Sequence, residues 1–186
     1  MKQRPTWPEL DRLARFMRAA DSMTDTLAAW TGRGVAVEIV RRLDRVFPGP
    51  EVAEMLALHD DAWVQEREVL LRCADLVVAS VRSWVAVDSA ALTPAVRLAL
   101  RAGSGLGDVI PAQQRRRTTV RVVPQRATPE HDHETPVLTV QARLDVGGTP
   151  VAWCEETIYE AVFAWDRSVF AGSVIGARPA RTRVPA

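Results

Sequence analysis

The sequence predicts an α+β domain, with a single antiparallel sheet of about six strands and helices packed on it. Six segments alternate between apolar and polar residues, which is the pattern of half-buried strands. Two pairs of these segments are separated only by short turns, at Asp75-Leu76 and at Gly147-Gly148, which indicates antiparallel hairpins. Other segments have apolar residues at helical spacing, which supplies the helical part of the fold.

Three helices are expected. Apolar residues recur at helical spacing between residues 9 and 20, and Ser22 then provides a cap for a second, short helix. The third begins after Thr93, with Pro94 at its first position, and ends at Gly103. Residues 51–59 have the composition of a further helical turn.

The alternation gives approximate bounds for each strand. The predicted strands are 35–47, 63–73, 77–87, 114–123, 137–146 and 150–160.

Composition is that of an ordinary soluble domain. The 186 residues include 47% hydrophobic and 25% charged residues, with a net charge of +1. We therefore expect one domain over residues 1–165, followed by a tail, 166–186, that is disordered. The near-zero charge gives no general attraction to nucleic acid or to acidic membranes. No apolar run is long enough to span a bilayer or to form a signal peptide, so the sequence predicts a cytoplasmic protein.

Three strands each carry an ionisable residue on a largely apolar face. Arg67 alternates in phase with Trp63, Val69 and Leu71, and both Arg82 and Glu155 have comparable positions on later strands. A charge on an apolar face is costly unless an opposite charge meets it. Structural ion pairs would satisfy these residues. If instead the three faces form one surface, two arginines and a glutamate would line a cavity suited to a small dianion.

Two other motifs have simpler explanations. The glycines of segment 103–107 resemble a phosphate-binding loop, but the lysine and the strand-to-helix context are missing, so a lid or a tight turn is favoured. Segment 131–134, His-Asp-His-Glu, offers metal ligands within a polar loop, and we expect no functional metal there. Cys73 and Cys154 both fall inside predicted strands, so neither a disulfide framework nor a zinc site is expected.

The order of motifs resembles the chorismate pyruvate-lyase family over about residues 21–160. The matching segments are Asp21-Ser22-Met23-Thr24, Arg67-Glu68-Val69-Leu70-Leu71, Arg82, Gly105-Leu106-Gly107, Gly148-Thr149-Pro150 and Cys154-Glu155. The resemblance implies a six-stranded antiparallel sheet, with helical flaps over a buried ligand cavity. It also implies the conversion of chorismate to 4-hydroxybenzoate and pyruvate by a monomer or homodimer, without metal or organic cofactor.

The resemblance also implies roles for individual residues. Arg67 would hold the ring carboxylate and Glu155 would meet the ring hydroxyl, as the two catalytic residues. Arg82 would bind the pyruvyl side, and the backbone at Met23 and Leu106 would contact the substrate. Glu156 follows directly, so a shift of one residue in register would exchange the two carboxylates.

A second reading assigns the same fold to a non-catalytic sensor or a repurposed enzyme that binds another small carboxylic acid. Effector-binding domains of bacterial transcription regulators share this kind of fold, normally behind a winged-helix domain. About 20 residues precede Asp21, which are too few for such a domain, so the sequence favours the lyase. A third reading, a structural protein with an incidental ion pair, predicts a filled core with no pocket beside Arg67.

Overall fold

A computed structural model describes residues 5–125 and 134–165. It confirms the predicted α+β architecture, with one open antiparallel sheet of six strands in the order β1-β2-β3-β6-β5-β4 and a few helices. This arrangement is consistent with a chorismate lyase-like fold. The division into a domain and a tail stays a prediction, because residues 166–186 lie outside the described residues.

The strands match the predicted segments to within one or two residues at most ends. They are β1 Ala36–Val46, β2 Val64–Cys73, β3 Leu76–Val85, β4 Arg115–Pro124, β5 Pro136–Val146 and β6 Thr149–Tyr159. The helices are α1 Trp7–Arg18, α2 Met23–Thr31, α3 Pro50–Met55, α4 Pro94–Ala102 and α5 Leu106–Val109. Two 3₁₀ turns, Ala112–Gln114 and Glu160–Phe163, complete the described elements.

Capping residues set the helix ends. Glu9 accepts a hydrogen bond from the backbone N–H of Thr6 at 2.7 Å and so closes the start of α1. Ser22 accepts from the N–H of Asp25 at 3.3 Å at the start of α2, as the sequence predicted. Helix α4 ends at Gly103, whose φ of 101° is a conformation that side chains disfavour.

The sheet has two distinct faces, which are fixed by the strand register. Arg67 of β2 lies opposite Ser83 of β3, which lies opposite Cys154 of β6, so these residues share what we call the inner face. Glu66 and Trp84 alternate with them and lie on the outer face. Helices α1, α2, α4 and α5 cover the inner face, and α3 covers part of the outer face.

The main core lies between the inner face and helices α1 and α2. Leu13 and Met17 of α1 are fully buried there against Leu138 of β5 and Ile158 of β6. A smaller cluster on the outer face joins α3 to Trp84 and Trp153. Val64 and Glu66 of β2 are buried on the outer face, because α3 and Trp84 shield them.

Two predicted features fall outside or beside what the structure describes. Residues 131–133 of the His-Asp-His-Glu segment lie outside the described residues. Within residues 5–125 and 134–165, no group of three or more histidine, cysteine, aspartate or glutamate side chains could hold a metal ion. No helix in that part of the chain is both long and apolar enough to cross a membrane.

Leucines on two helices provide a matched test of this packing. Leu13 of α1 is 0% exposed, whereas Leu98 of α4 is 70% exposed. We expect Leu13→Ala to lower the free energy of unfolding by about 2–5 kcal/mol, because it opens a cavity in the core. We expect Leu98→Ala to change it by less than about 0.5 kcal/mol. Urea unfolding measures both, and equal losses would contradict the packing described.

Candidate functional site

A cavity of about 370 Å³ lies on the inner face, between the sheet, the start of α2 and the segment that leads into α5. Apolar side chains of β1, β2 and β3, and of the residue that precedes β1, line its sheet side. These residues are Val35, Val37, Ile39, Val69, Leu71 and Val81. The volume lies in the range of small-molecule sites. Segments 22–25 and 105–108 also line the cavity, and their role as flaps stays a prediction.

Arg67 lines this cavity and is 2% exposed. Its guanidinium donates from Nε to Oε1 of Gln65 at 2.6 Å, from Nη1 to the carbonyl of Ser104 at 2.6 Å and from Nη2 to the carbonyl of Leu100 at 2.8 Å. All three acceptors are neutral. Within residues 5–125 and 134–165, no carboxylate oxygen lies within 4.0 Å of Arg67.

The charge of Arg67 is therefore poorly compensated within the fold. Burial lowers the pKa of Arg67 from its usual value, the nearby charge of Arg42 lowers it further, and Asp44 opposes these effects. Arginine remains protonated despite such a shift. Since each terminal nitrogen of a guanidinium has two hydrogens, Nη1 and Nη2 each keep one hydrogen beyond those donated to Ser104 and Leu100.

Glu156 also lines the cavity, and it forms an ion pair. Its Oε2 accepts from Nη2 of Arg117 at 2.6 Å, and both side chains are almost fully buried. Burial raises the pKa of Glu156, and the charge and hydrogen bond of Arg117 act in the opposite direction. Arg117 also donates to the carbonyl of Ala20 at 3.0 Å, so this pair links β4 and β6 to the end of α1.

Cys154 also lines the cavity, and it is not an activated nucleophile. Burial, together with the negative charge of Glu156, raises its pKa to about 12, while Arg117 lowers it by less. The thiol is therefore neutral at physiological pH, and a neutral thiol is a poor nucleophile.

The structure brings together only some of the predicted site residues. Met23 and Leu106 line the same cavity as Arg67. Arg82 and Glu155 lie on the outer face, because Arg82 is opposite Glu155 in the β3–β6 ladder and Glu68 in the β2–β3 ladder. The expectation that Arg67, Arg82 and Glu155 line one cavity is therefore not met.

The outer-face residues have partners of their own. Nη2 of Arg82 donates to Oε1 of Glu66 at 3.1 Å, and its guanidinium carbon lies 4.8 Å from the ring centre of Trp84. Oε1 of Glu155 accepts from Gln141 at 3.5 Å, the limit of a hydrogen bond. These contacts are the structural ion pairing that the sequence left open as an alternative for Arg82.

Two residues of the inner face were not among the predicted site residues. Glu156 lines the cavity in place of the predicted Glu155. This is the outcome that a shift of one residue in register would give. Arg117 belongs to the arginine run 115–117 at the start of β4, a pattern that is typical of a solvated edge strand. Its side chain is only 6% exposed, because α1 packs across that part of the sheet.

Comparisons with known proteins give a fold and no family. A scan against protein-family models finds no match, and no curated protein matches the sequence. Among solved structures, PhnF from Mycobacterium smegmatis matches with a TM-score of 0.53 and 14% identity, over 82% of this chain and 78% of that chain. The effector domain of PhnF from the same organism matches with a TM-score of 0.52 and 14% identity, over 75% and 88%.

A third match has a lower score. It is the ligand-binding domain of a Bordetella bronchiseptica protein assigned to the GntR family of transcriptional regulators, with a TM-score of 0.47 and 16% identity, over 67% of this chain and 82% of that chain. At these identities the similarity shows the fold alone.

The prediction of a chorismate pyruvate-lyase is wrong. One of the matching solved structures is the effector domain of PhnF, which fits the alternative interpretation of a sensor better than the lyase. The site also lacks the arrangement on which the lyase depended, because Arg82 and Glu155 lie across the sheet from Arg67. The fold shared with chorismate lyases does not by itself imply their activity.

The buried pair of Arg117 and Glu156 predicts a strongly coupled response to mutation. Arg117→Met leaves a buried carboxyl group without its partner, so we expect the free energy of unfolding to fall by about 3–5 kcal/mol. Combining Arg117→Met with Glu156→Leu removes both charges, and most of that loss should be recovered. Chemical denaturation of the single and double variants measures the coupling. Additive losses would contradict a direct ion pair.

The raised pKa of Cys154 predicts an alkaline loss of stability. A thiol with a pKa of about 12 in the fold and 9.0 as its ordinary value stabilises the fold fully below pH 9, and this contribution is lost as the pH rises toward 12. We expect Cys154→Ala to flatten the fall of the unfolding free energy over this range. Parallel curves for the variant and the wild type, from urea unfolding at several pH values, would contradict the prediction.

Proposed function

We propose that this domain is a non-catalytic receptor for a small monocarboxylic acid, which binds in the cavity beside Arg67. The observation that carries the proposal is a buried guanidinium whose hydrogen-bond acceptors are all neutral. Burying an unpaired charge costs free energy, and an anionic ligand would offset that cost. The two remaining hydrogens on Nη1 and Nη2 would donate to the carboxylate.

The rest of the cavity favours a monoanion with an apolar body. The charged residues lining it are Arg67, Arg115, Asp25, Asp108 and Glu156, which gives more acids than arginines. Arg115 donates to the carbonyls of Gly107 and Ile110. A phosphate dianion would therefore bring more negative charge than the site can offset. The branched aliphatic side chains of β1, β2 and β3 suit a flat ring or a short hydrocarbon.

Sensing is favoured over catalysis by the state of the other polar groups. Glu156 is held by Arg117, and the thiol of Cys154 is kept neutral, so neither is poised to abstract a proton or attack a substrate. Leu106 and the backbone at Met23 are proposed to complete the contacts, as parts of the two flaps. An effector domain of similar fold is consistent with this role.

Calorimetric titration with benzoate and 4-hydroxybenzoate tests the proposal. We expect wild-type protein to bind at least one of them, and Arg67→Met to weaken binding by about 1.5–3 kcal/mol, since it removes a charged hydrogen-bond donor. Arg82→Met is the matched control on the outer face, and it should bind as the wild type does. Phenyl phosphate should bind more weakly than benzoate.

Circular dichroism of each variant establishes that it is folded. Chorismate added to the wild-type protein should release no pyruvate. The proposal fails if the wild type binds no monocarboxylate, or if Arg67→Met binds as tightly as Arg82→Met.

A further inference from the structure

Gln65 is a buried glutamine that contacts the candidate anion-binding arginine. It is 2% exposed, and its Oε1 accepts the hydrogen of Arg67 Nε at 2.6 Å. Among the described residues it contributes the one side chain hydrogen-bonded to Arg67, since the other two acceptors are backbone carbonyls. The amide nitrogen of Gln65 donates to Oδ1 of Asp44. The carboxylate of Asp44, the amide of Gln65 and the guanidinium of Arg67 are thus connected by two consecutive hydrogen bonds.

Asp44, the residue of this hydrogen-bonded series that is farthest from the first cavity, has a more exposed environment than Arg67. It lines a second cavity of about 530 Å³ together with Gln65 and Trp63. Its side chain is 55% exposed, and its Oδ2 lies 3.7 Å from Nε of Arg42. Solvent and Arg42 therefore offset the charge of Asp44. Gln65 lies between Asp44 and Arg67. Asp44, whose charge acts on Arg67, is thus kept out of direct contact with the guanidinium.

The choice of an amide at position 65 has a chemical consequence. A carboxylate in the same place would form a short, charge-assisted bond to Nε and supply Arg67 with an internal counter-charge. An amide of the same shape orients the guanidinium equally well but leaves its charge uncompensated. The residue type at this position thus decides whether Arg67 has a charge to offer a ligand.

We propose that Gln65 is a specificity-determining residue of this site, a neutral acceptor that positions Arg67 while keeping its charge available to an anionic ligand. The inference rests on the proposed function for the identity of the ligand. It goes further in assigning the preference for anions to a residue that lies behind the arginine, on the side shared with the second cavity.

An exchange of the acid and the amide tests this inference with little change in shape. The double variant Asp44→Asn, Gln65→Glu has the same net charge as the wild type and preserves the connection, because the amide at position 44 can donate to the carboxylate at position 65. Only the location of the negative charge changes, from one cavity to direct contact with Arg67. Asp44→Asn alone is the control that removes the distant charge and keeps Gln65.

Titration with benzoate provides the first measurement. We expect the exchanged variant to bind at least tenfold more weakly than the wild type, and Asp44→Asn to bind within about threefold of it or more tightly. If the folded exchanged variant binds benzoate within threefold of the wild type, the inference is overturned.

Thermal unfolding without ligand separates this inference from the proposed function. If Arg67 lacks a counter-charge, the exchanged variant should melt about 2–4 °C higher than Asp44→Asn. A lower melting temperature would show that Arg67 is already compensated, which overturns the inference. If the melting temperature rises but benzoate and 4-hydroxybenzoate bind to no variant, the inference about Gln65 stands and the proposed carboxylic acid ligand fails.

Discussion

The arrangement of this domain depends on a buried guanidinium that has no carboxylate within 4.0 Å among the described residues. Arg67 emerges from the middle of β2, where flanking strands and helix α4 exclude water from it. The acceptors of its hydrogen bonds are neutral oxygens. In the proposed function, an anionic ligand in the cavity offsets its charge. Burying this charge lowers the free energy of unfolding of the empty protein. A bound anion would offset that cost, which would favour binding.

The two faces of the sheet differ in whether their buried charges are all balanced by nearby opposite charges. On the outer face, Glu66 meets Arg82, Arg41 and the indole N–H of Trp84, so the charge of Glu66 is balanced by neighbouring side chains. On the inner face, Glu156 is balanced by Arg117, and Arg67 is not balanced by any carboxylate within the described ranges. The buried charge that has no nearby carboxylate thus lies beside the cavity, and the ion pairs of Glu66 and Glu156 connect the strands around it.

Much of the fold could be predicted from the sequence, because the alternation of β2 and the hairpin glycines depend only on local spacing. That alternation also placed Arg67 on an apolar face. The pairing of strands that are distant in sequence could not be predicted in this way. Glu155 and Glu156 have equivalent local patterns, and only the β3–β6 register decides that Glu156 shares a face with Arg67. The burial of Arg117 depends on α1 crossing β4, which is a tertiary contact with no local signal.

Through the carbonyls of Leu100 and Ser104, Arg67 connects the proposed ligand site to a segment that borders the cavity. Arg67 donates hydrogen bonds to the last turn of α4 and to the segment that leads into residues 105–108, so the side chain proposed to bind the ligand also anchors part of the cavity wall. A loop that changed length here would lose its anchor as well as displace the guanidinium. Among natural relatives, we therefore expect position 67 and the length of segment 100–104 to covary.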